Sequence, residues 1–210
     1  MPGASQPAVE IIGLGRRFGS LEAVRSLDLS LAPGERVALW GPNGSGKSTV
    51  LRCIAGALEA SRGRVLVEGF PAGSLPARRC VGVALSLERS FYLRLTGHIN
   101  LLFYARLRCR NEADARDTVR WLEEELDIGD IVIRTVGKCS SGMIQQLGLV
   151  RALIGDPAVL LLDEPTKSMD AGARARLWAA LDRRPTTAVM LATHLPDDLE
   201  HVDRRVEFPV

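Results

Sequence analysis

The 210-residue chain has no run of 18 apolar residues, so it offers no segment that could cross a bilayer as a helix, and a membrane role requires another chain to supply the spans. Aromatic residues are scarce, 5% against a hydrophobic share of 46%. The core must therefore be built from Ala, Leu and Val, as in an ordinary α/β globule. The four cysteines, Cys53, Cys80, Cys109 and Cys139, are scattered with no CxxC or Cys/His metal spacing. That excludes a sequence-evident zinc or dithiol motif and reads as reduced thiols of a cytosolic protein. Charge of one sign is also lacking: the net value is +2, and acids and bases interleave as in "RCRNEADARDTVRWLEEELD". Such a balance selects no nucleic-acid or membrane surface, and the charges read as a solvated helix face. The first residues, "MPGASQPAVE", have neither a basic nor an apolar signal region, so no signal peptide is expected. Repeats and low-complexity segments are absent as well.

What is present is a succession of strand and helix signals. "AVEIIGLG" and "SLDLSL" alternate as half-buried strands do, "PGERVALW" gives a turn and a strand, and "GRVLVEG" is a strand between glycines. From Thr96 to about Ile154 the pattern is mainly helical. Two apolar runs follow, "AVLLLDEP" and "TTAVMLATH", with a helical Ala171–Leu181 segment between them. Strand, helix, inserted helical block, then strand, helix, strand predicts an α/β domain whose mostly parallel sheet is interrupted in the middle of the sequence.

Gly41-Pro42-Asn43-Gly44-Ser45-Gly46-Lys47-Ser48 fits G-x-x-x-x-G-K-[ST], between an apolar strand and a helix expected over Lys47–Leu58. Glycines let successive backbone N–H groups curl around a phosphate, Lys47 adds a mobile positive charge, and the Ser48 hydroxyl is suited to Mg²⁺. Val159–Leu162 reads as a buried parallel strand delivering Asp163 and Glu164 to the carboxyl edge of the sheet. There Asp163 suits the Mg²⁺ shell, and Glu164 suits the polarisation of a water for attack on a terminal phosphate. Thr187–Ala192 brings Thr193 and His194 to the same edge, where a histidine can sense or stabilise γ-phosphate charge.

"KCSSGMIQQLGLVRAL" poses a separate question. Met143, Leu147, Val150 and Ile154 follow a helical period, so a helix should start near Ser141 with Ser140 or Ser141 as N-cap. Gly142 permits a close backbone approach. A well-capped core helix accounts for the stretch by itself, yet such a start also attracts anions.

Taken in order, these motifs resemble the ATP-binding subunit of an ABC transporter over nearly the whole chain. "GPNGSGKST" is similar to that family's phosphate loop, "LLLDEP" to its second nucleotide motif, "KSMD" to its D-loop, "ATH" to its switch histidine and "CSSGM" to its LSGGQ signature. The resemblance implies a P-loop NTPase core with an N-terminal antiparallel β part and an inserted helical subdomain: residues 1–85 and 156–210 for the core, 86–155 for the insert. It implies ATP and Mg²⁺ as cofactors, with catalysis by Lys47, Glu164 and His194. Nucleotide contacts fall to Phe18, Gly41, Asn43, Gly44, Ser45, Gly46, Lys47, Ser48 and Thr49, together with Ser140, Gly142 and Asp170, and metal contacts to Ser48 and Asp163. In this family two protomers pair head to tail, so Ser140 and the Gly142 N–H are expected to face ATP held by a second protomer, most simply a second copy of this chain.

Departures from the pattern are specific. Cys139, Ser141 and Met143 replace three signature residues, a "S-x-G-M" form similar to subunits of ABC-2 type exporters. Gln145-Gln146 stands where the family has Q-R. "VGVALSLERSFYLRLTGHINLLF" contains no glutamine where the family's Q-loop has one; Ser86 is nearest by spacing and Glu88 second, with Glu88 and Arg89 expected to face the membrane subunit. Ile99 occupies the place where Glu would complete a capping box with Thr96. The expected protein is an ATPase serving a separate transmembrane permease, peripheral on the cytoplasmic face of the inner membrane, with no appended regulatory domain. A non-transport ABC-type switch would need coiled coils or a second ATPase unit, and a small nucleotide kinase would leave "CSSGM" and "KSMD" without a role.

Overall fold

The alternating "VEIIGLGRRF" forms β1 (Val9–Phe18), antiparallel to β2 (Leu21–Leu31), in a computed structural model that describes residues 6–85 and 90–208. β3 (Arg36–Trp40) leads into α1 (Lys47–Ile54), followed by β4 (Arg62–Val67), β5 (Phe70–Pro71), α2 (Leu75–Cys80) and β6 (Val81–Ala84). Four helices come next: α3 (Gly97–Arg108), α4 (Glu112–Glu125), α5 (Gly129–Val132) and α6 (Ser141–Leu153). The chain then returns through β7 (Val159–Asp163), α7 (Ala171–Asp182), β8 (Ala188–Thr193), a 3-10 turn at Pro196–His201 and β9 (Arg204–Glu207).

Two sheets result. β2-β1-β4-β5 is antiparallel, and β6-β7-β8-β3-β9 is parallel at every pairing. The parallel sheet explains why Val159–Leu162 and Ala188–Ala192 are apolar throughout: both strands are buried on both faces. Period-two alternation divides their side chains between two cores. Val159, Leu161 and Met190 join Val37, Leu39, α1 and the antiparallel sheet, while Leu160, Leu162, Val189 and Leu191 join Ala38 and the helices.

Several boundaries differ from the sequence reading. Helix α1 stops at Ile54 instead of running to Leu58, because Gly56 adopts a left-handed φ of 68° and the chain closes a Schellman motif. In it Gly56 N–H donates to Cys53 O at 3.1 Å and Ala57 N–H donates to Arg52 O at 2.9 Å. The parallel sheet also has two edge strands that the pattern did not isolate, β6 and β9, each only four residues long. Between the two candidate caps of α6 the structure selects Ser140, whose hydroxyl accepts from Met143 N–H at 3.3 Å. Thr96 caps α3 in the same way through Ile99 N–H, even without a glutamate at that position.

Candidate functional site

β3, β7 and β8 are neighbours running in one direction, so the residues that follow them meet at one edge of the sheet. After β3 comes the glycine-rich loop. Gly46 is the N-cap of α1 with φ of 100°, and a methyl group there would lie 2.3 Å from the Ala23 carbonyl oxygen. Only glycine satisfies both the turn and the contact. No side chain caps α1, so its first N–H groups have no partner from the helix itself or from a cap. The Ser45 hydroxyl is buried without a hydrogen-bond partner among the described residues. Free amides and an orphaned hydroxyl at a helix start are what an anionic phosphate satisfies.

Lys47 is only 5% exposed. Its ammonium donates to Gly41 O at 2.6 Å and Pro42 O at 2.8 Å, so the loop holds its own counter-charge. Burial pushes its pKa below the ordinary lysine value, while the charges of Glu164 and Asp163 pull it back upward. From the neighbouring strand, Asp163 accepts the Ser48 hydroxyl at 3.0 Å. These two hard oxygen donors, side by side, suit Mg²⁺ when phosphate and water complete the shell. Among the described residues no group of three or more His, Cys, Asp or Glu side chains could hold a metal ion.

Glu164 follows at a left-handed φ of 52°, uncommon for a residue with a Cβ. Its N–H donates to Ala192 O at 2.8 Å, tying the ends of β7 and β8. The residue is 8% exposed, and His194 Nδ1 lies 2.8 Å from its carboxylate oxygens, with hydrogen-bond geometry to Oε1. A cavity of about 370 Å³ gathers Asn43, Gly44, Gly46, Lys47, Ser48, Thr49, Asp163 and Glu164, and Phe18 stands at its rim beside Leu21 and Ala23. Phe18 is 43% exposed and carries the Arg16 guanidinium 4.6 Å from its ring centroid. A phosphate loop, two carboxylates and an exposed ring around one cavity suit a nucleoside triphosphate.

The family model described as ABC transporter matches residues 24–167, more than half of the chain. The chain belongs to the ABC transporter family. It is an ATP-binding subunit of that family, an ATP hydrolase that powers a membrane transporter. It is similar to the ABC transporter ATP-binding protein NatA of Bacillus subtilis, 33% identical over 200 residues, covering 91% of this chain and 81% of NatA. The Nod factor export ATP-binding protein I of Rhizobium sp. is 33% identical over 210 residues, covering 96% and 67%. A sulfate/thiosulfate import ATP-binding protein of Methylococcus capsulatus is 35% identical over 208 residues, covering 95% and 60%. In fold, the dimeric bacterial ABC transporter cassette MJ0796 matches with a TM-score of 0.86 at 20% identity, over 95% of this chain and 94% of that one.

In this ABC subunit several sequence-derived site residues do not line the cavity, Gly41, Ser45 and His194 among them. Ser140, Gly142 and Asp170 do not line it either. Ser140 caps α6, and Asp170 caps α7 by accepting Ala173 N–H at 2.8 Å. Gly142 makes its close approach within the chain: a methyl group there would sit 2.2 Å from the Ser168 carbonyl oxygen. Sequence reasoning missed the bridge that Gln145 makes between these segments. Its Nε2 donates to the Glu164 carbonyl, and its Oε1 accepts Ser168 N–H at 3.3 Å, so the signature helix holds the backbone of Glu164. Two successive glutamines in an otherwise apolar helix were the available signal. A second cavity, about 310 Å³, lies beside this bridge and shares Asp163, Glu164 and Lys167 with the first. Ser86 and Glu88, singled out in place of the missing glutamine, and Arg89, expected with Glu88 to face the membrane subunit, lie outside the described residues.

Proposed function

We propose that this subunit binds Mg²⁺–ATP in the 370 Å³ cavity and hydrolyses it only when a second protomer closes over the site. Phe18 stacks on the base with its free face. The loop from Gly41 to Thr49 holds the phosphates, with Lys47 exchanging its carbonyl partners for phosphate oxygens and Ser45 supplying its unpartnered hydroxyl. Ser48 and Asp163 would hold Mg²⁺, which when bound would supply positive charge to offset that developing on the transferred phosphoryl group. Glu164 orients the attacking water, and His194 keeps the carboxylate turned and answers the γ-phosphate.

The observation that carries this reading is that the phosphate loop, Asp163 and Glu164 wall one cavity with Phe18 at its rim. Ser140, Gly142 and Asp170 do not line that cavity; the head-to-tail pairing that the family resemblance implies is what assigns them to the ATP of a partner, a second copy of this chain. No helix among the described residues is long and apolar enough to cross a membrane; we assign the spans to a separate transmembrane permease, with this subunit on its cytoplasmic face, from the resemblance to the family's ATP-binding subunits alone. Export is favoured by the Ser-x-Gly-Met form of 140–143 and by the Nod factor export relative. An import protein is equally similar overall, so that form decides the assignment. Removing Lys47 (Lys47→Ala) should weaken ATP binding, whereas Glu164→Gln should retain binding and lose turnover by at least about a hundredfold. Nucleotide titration and phosphate release measured on both variants test this, and equal loss of binding in the two would contradict the assigned roles.

A further inference from the structure

Asp198 belongs to no motif and does not line the nucleotide cavity, yet it is 1% exposed, inside the 3-10 turn Pro196–His201. Each of its carboxylate oxygens accepts one threonine hydroxyl: Thr166 Oγ1 donates to Oδ1 at 2.6 Å, and Thr193 Oγ1 donates to Oδ2 at 2.5 Å. Both threonines are buried, and the Thr193 oxygen also accepts Leu195 N–H at 3.0 Å. Thr166 lies two residues after Glu164, and Thr193 immediately precedes His194. The two segments that carry the Glu164–His194 pair are thus joined a second time, through Asp198.

That second joint has a mechanical consequence. Glu164 sits in the left-handed region, which is strained for a residue with a Cβ and persists only when its surroundings fix it. Gln145 and Ala192 hold its carbonyl and amide, and the Thr166–Asp198 bond anchors the chain just beyond. The turn bearing Asp198 is itself seated on α7, where His201 stacks on Trp178 at 4.3 Å and Arg174 pairs with Asp197 at 3.3 Å. We propose that Asp198 is a positioning residue for ATP hydrolysis, holding Glu164 and His194 in register through the hydroxyls of Thr166 and Thr193 without touching the nucleotide. The inference rests on the roles assigned above to Glu164 and His194.

Asp198→Asn keeps the volume but puts an amide donor against one of two donating hydroxyls. Thr166→Val and Thr193→Val remove one hydroxyl each at nearly constant shape, and Thr166→Ser and Thr193→Ser retain it. Turnover and ATP affinity are read for all five and for Asp198→Asn combined with Thr166→Val. Asp198→Asn and both valine variants should lose on the order of ten- to a hundredfold in kcat, the cost of misplacing a reacting group. ATP affinity should stay within about twofold, far below the tenfold that 1.4 kcal/mol represents. The serine variants should turn over like the parent, and Asp198→Asn combined with Thr166→Val should be no worse than the poorer single change. If Asp198→Asn does not fold, the valine and serine pairs decide alone. Unchanged kcat in the valine variants, a parallel fall of kcat and ATP affinity, or serine variants as impaired as valine ones would each overturn the proposal. Should Glu164→Gln abolish turnover while the valine variants keep it, this inference fails and the functional reading stands; should Glu164→Gln turn over normally, the functional reading itself fails.

Discussion

Replacing Gly142 by alanine sets two effects against each other. As a helix residue, alanine is favoured over glycine by up to about 1 kcal/mol, so on α6 alone the change stabilises. Its methyl group, however, would lie 2.2 Å from the Ser168 carbonyl oxygen. An ordinary carbon–oxygen contact is about 3.3 Å or more, so the two backbones must separate by about 1 Å, and neither can rotate away. Overpacking of this kind costs about 1–3 kcal/mol, which set against the full helical gain leaves a net destabilisation of about 0–2 kcal/mol. The displacement is not local, since Gln145 ties Ser168 N–H to the Glu164 carbonyl from the same helix. Moving that frame by about 1 Å should cost turnover on the order of a hundredfold, while the phosphate loop, on other elements, keeps its ATP affinity. Urea unfolding, ATP titration and phosphate release on Gly142→Ala separate these effects. A variant more stable than the parent and fully active, or one whose ATP affinity falls in step with turnover, would refute the reasoning.

Two further outcomes follow from side chains outside the reacting centre. Phe18 offers a ring face and no base-specific hydrogen bond, so ATP and GTP should bind within about tenfold of each other, roughly 1.4 kcal/mol, and competition titrations showing a preference of several orders of magnitude would disprove stacking as the mode of base binding. Glu125, at the end of α4, receives Arg184 at 2.6 and 3.1 Å and Arg183 at 2.8 Å. Burial pushes its carboxyl pKa up, but the hydrogen bonds and charges of Arg184 and Arg183 outweigh this and hold it below the usual value. A lowered folded-state pKa gives stability that is complete above the unfolded value and disappears as pH falls through the folded one, so the urea midpoint should drop as the medium is acidified below about pH 4.5. Glu125→Gln should be less stable at neutral pH, by about 3 kcal/mol, and less acid-sensitive; an unchanged pH slope would exclude this clamp as a source of it.

The parts of this molecule that were legible in its sequence are those set by local pattern. "RVALW" followed by Gly41–Ser48 fixes a strand, a phosphate loop and a helix start within thirteen residues, and the unbroken apolar runs before Asp163 and His194 require strands buried on both faces. A serine cap at 140 or 141 was legible because a cap bonds an amide only two or three residues on, and the structure settles it on Ser140 through Met143 N–H. Gln145 and Asp198 were not, because their partners lie 19 to 32 residues distant or across a turn, and no periodicity marks a side chain whose bond is made only when two strand ends meet. Edge strands β6 and β9 escaped for a related reason: four residues are too few to establish a period, and only pairing with β7 and β3 makes them strands.

Under the proposed function, hydrolysis depends on Glu164 and is completed by a second copy of the chain. Light scattering of Glu164→Gln with and without Mg²⁺–ATP tests it most directly, because a subunit that binds ATP and cannot hydrolyse it should accumulate in the closed pair. The expected result is a monomer without nucleotide and a dimer holding two ATP molecules with it. A variant that stays monomeric while saturated with ATP, or one that pairs equally well without nucleotide, would contradict the claim.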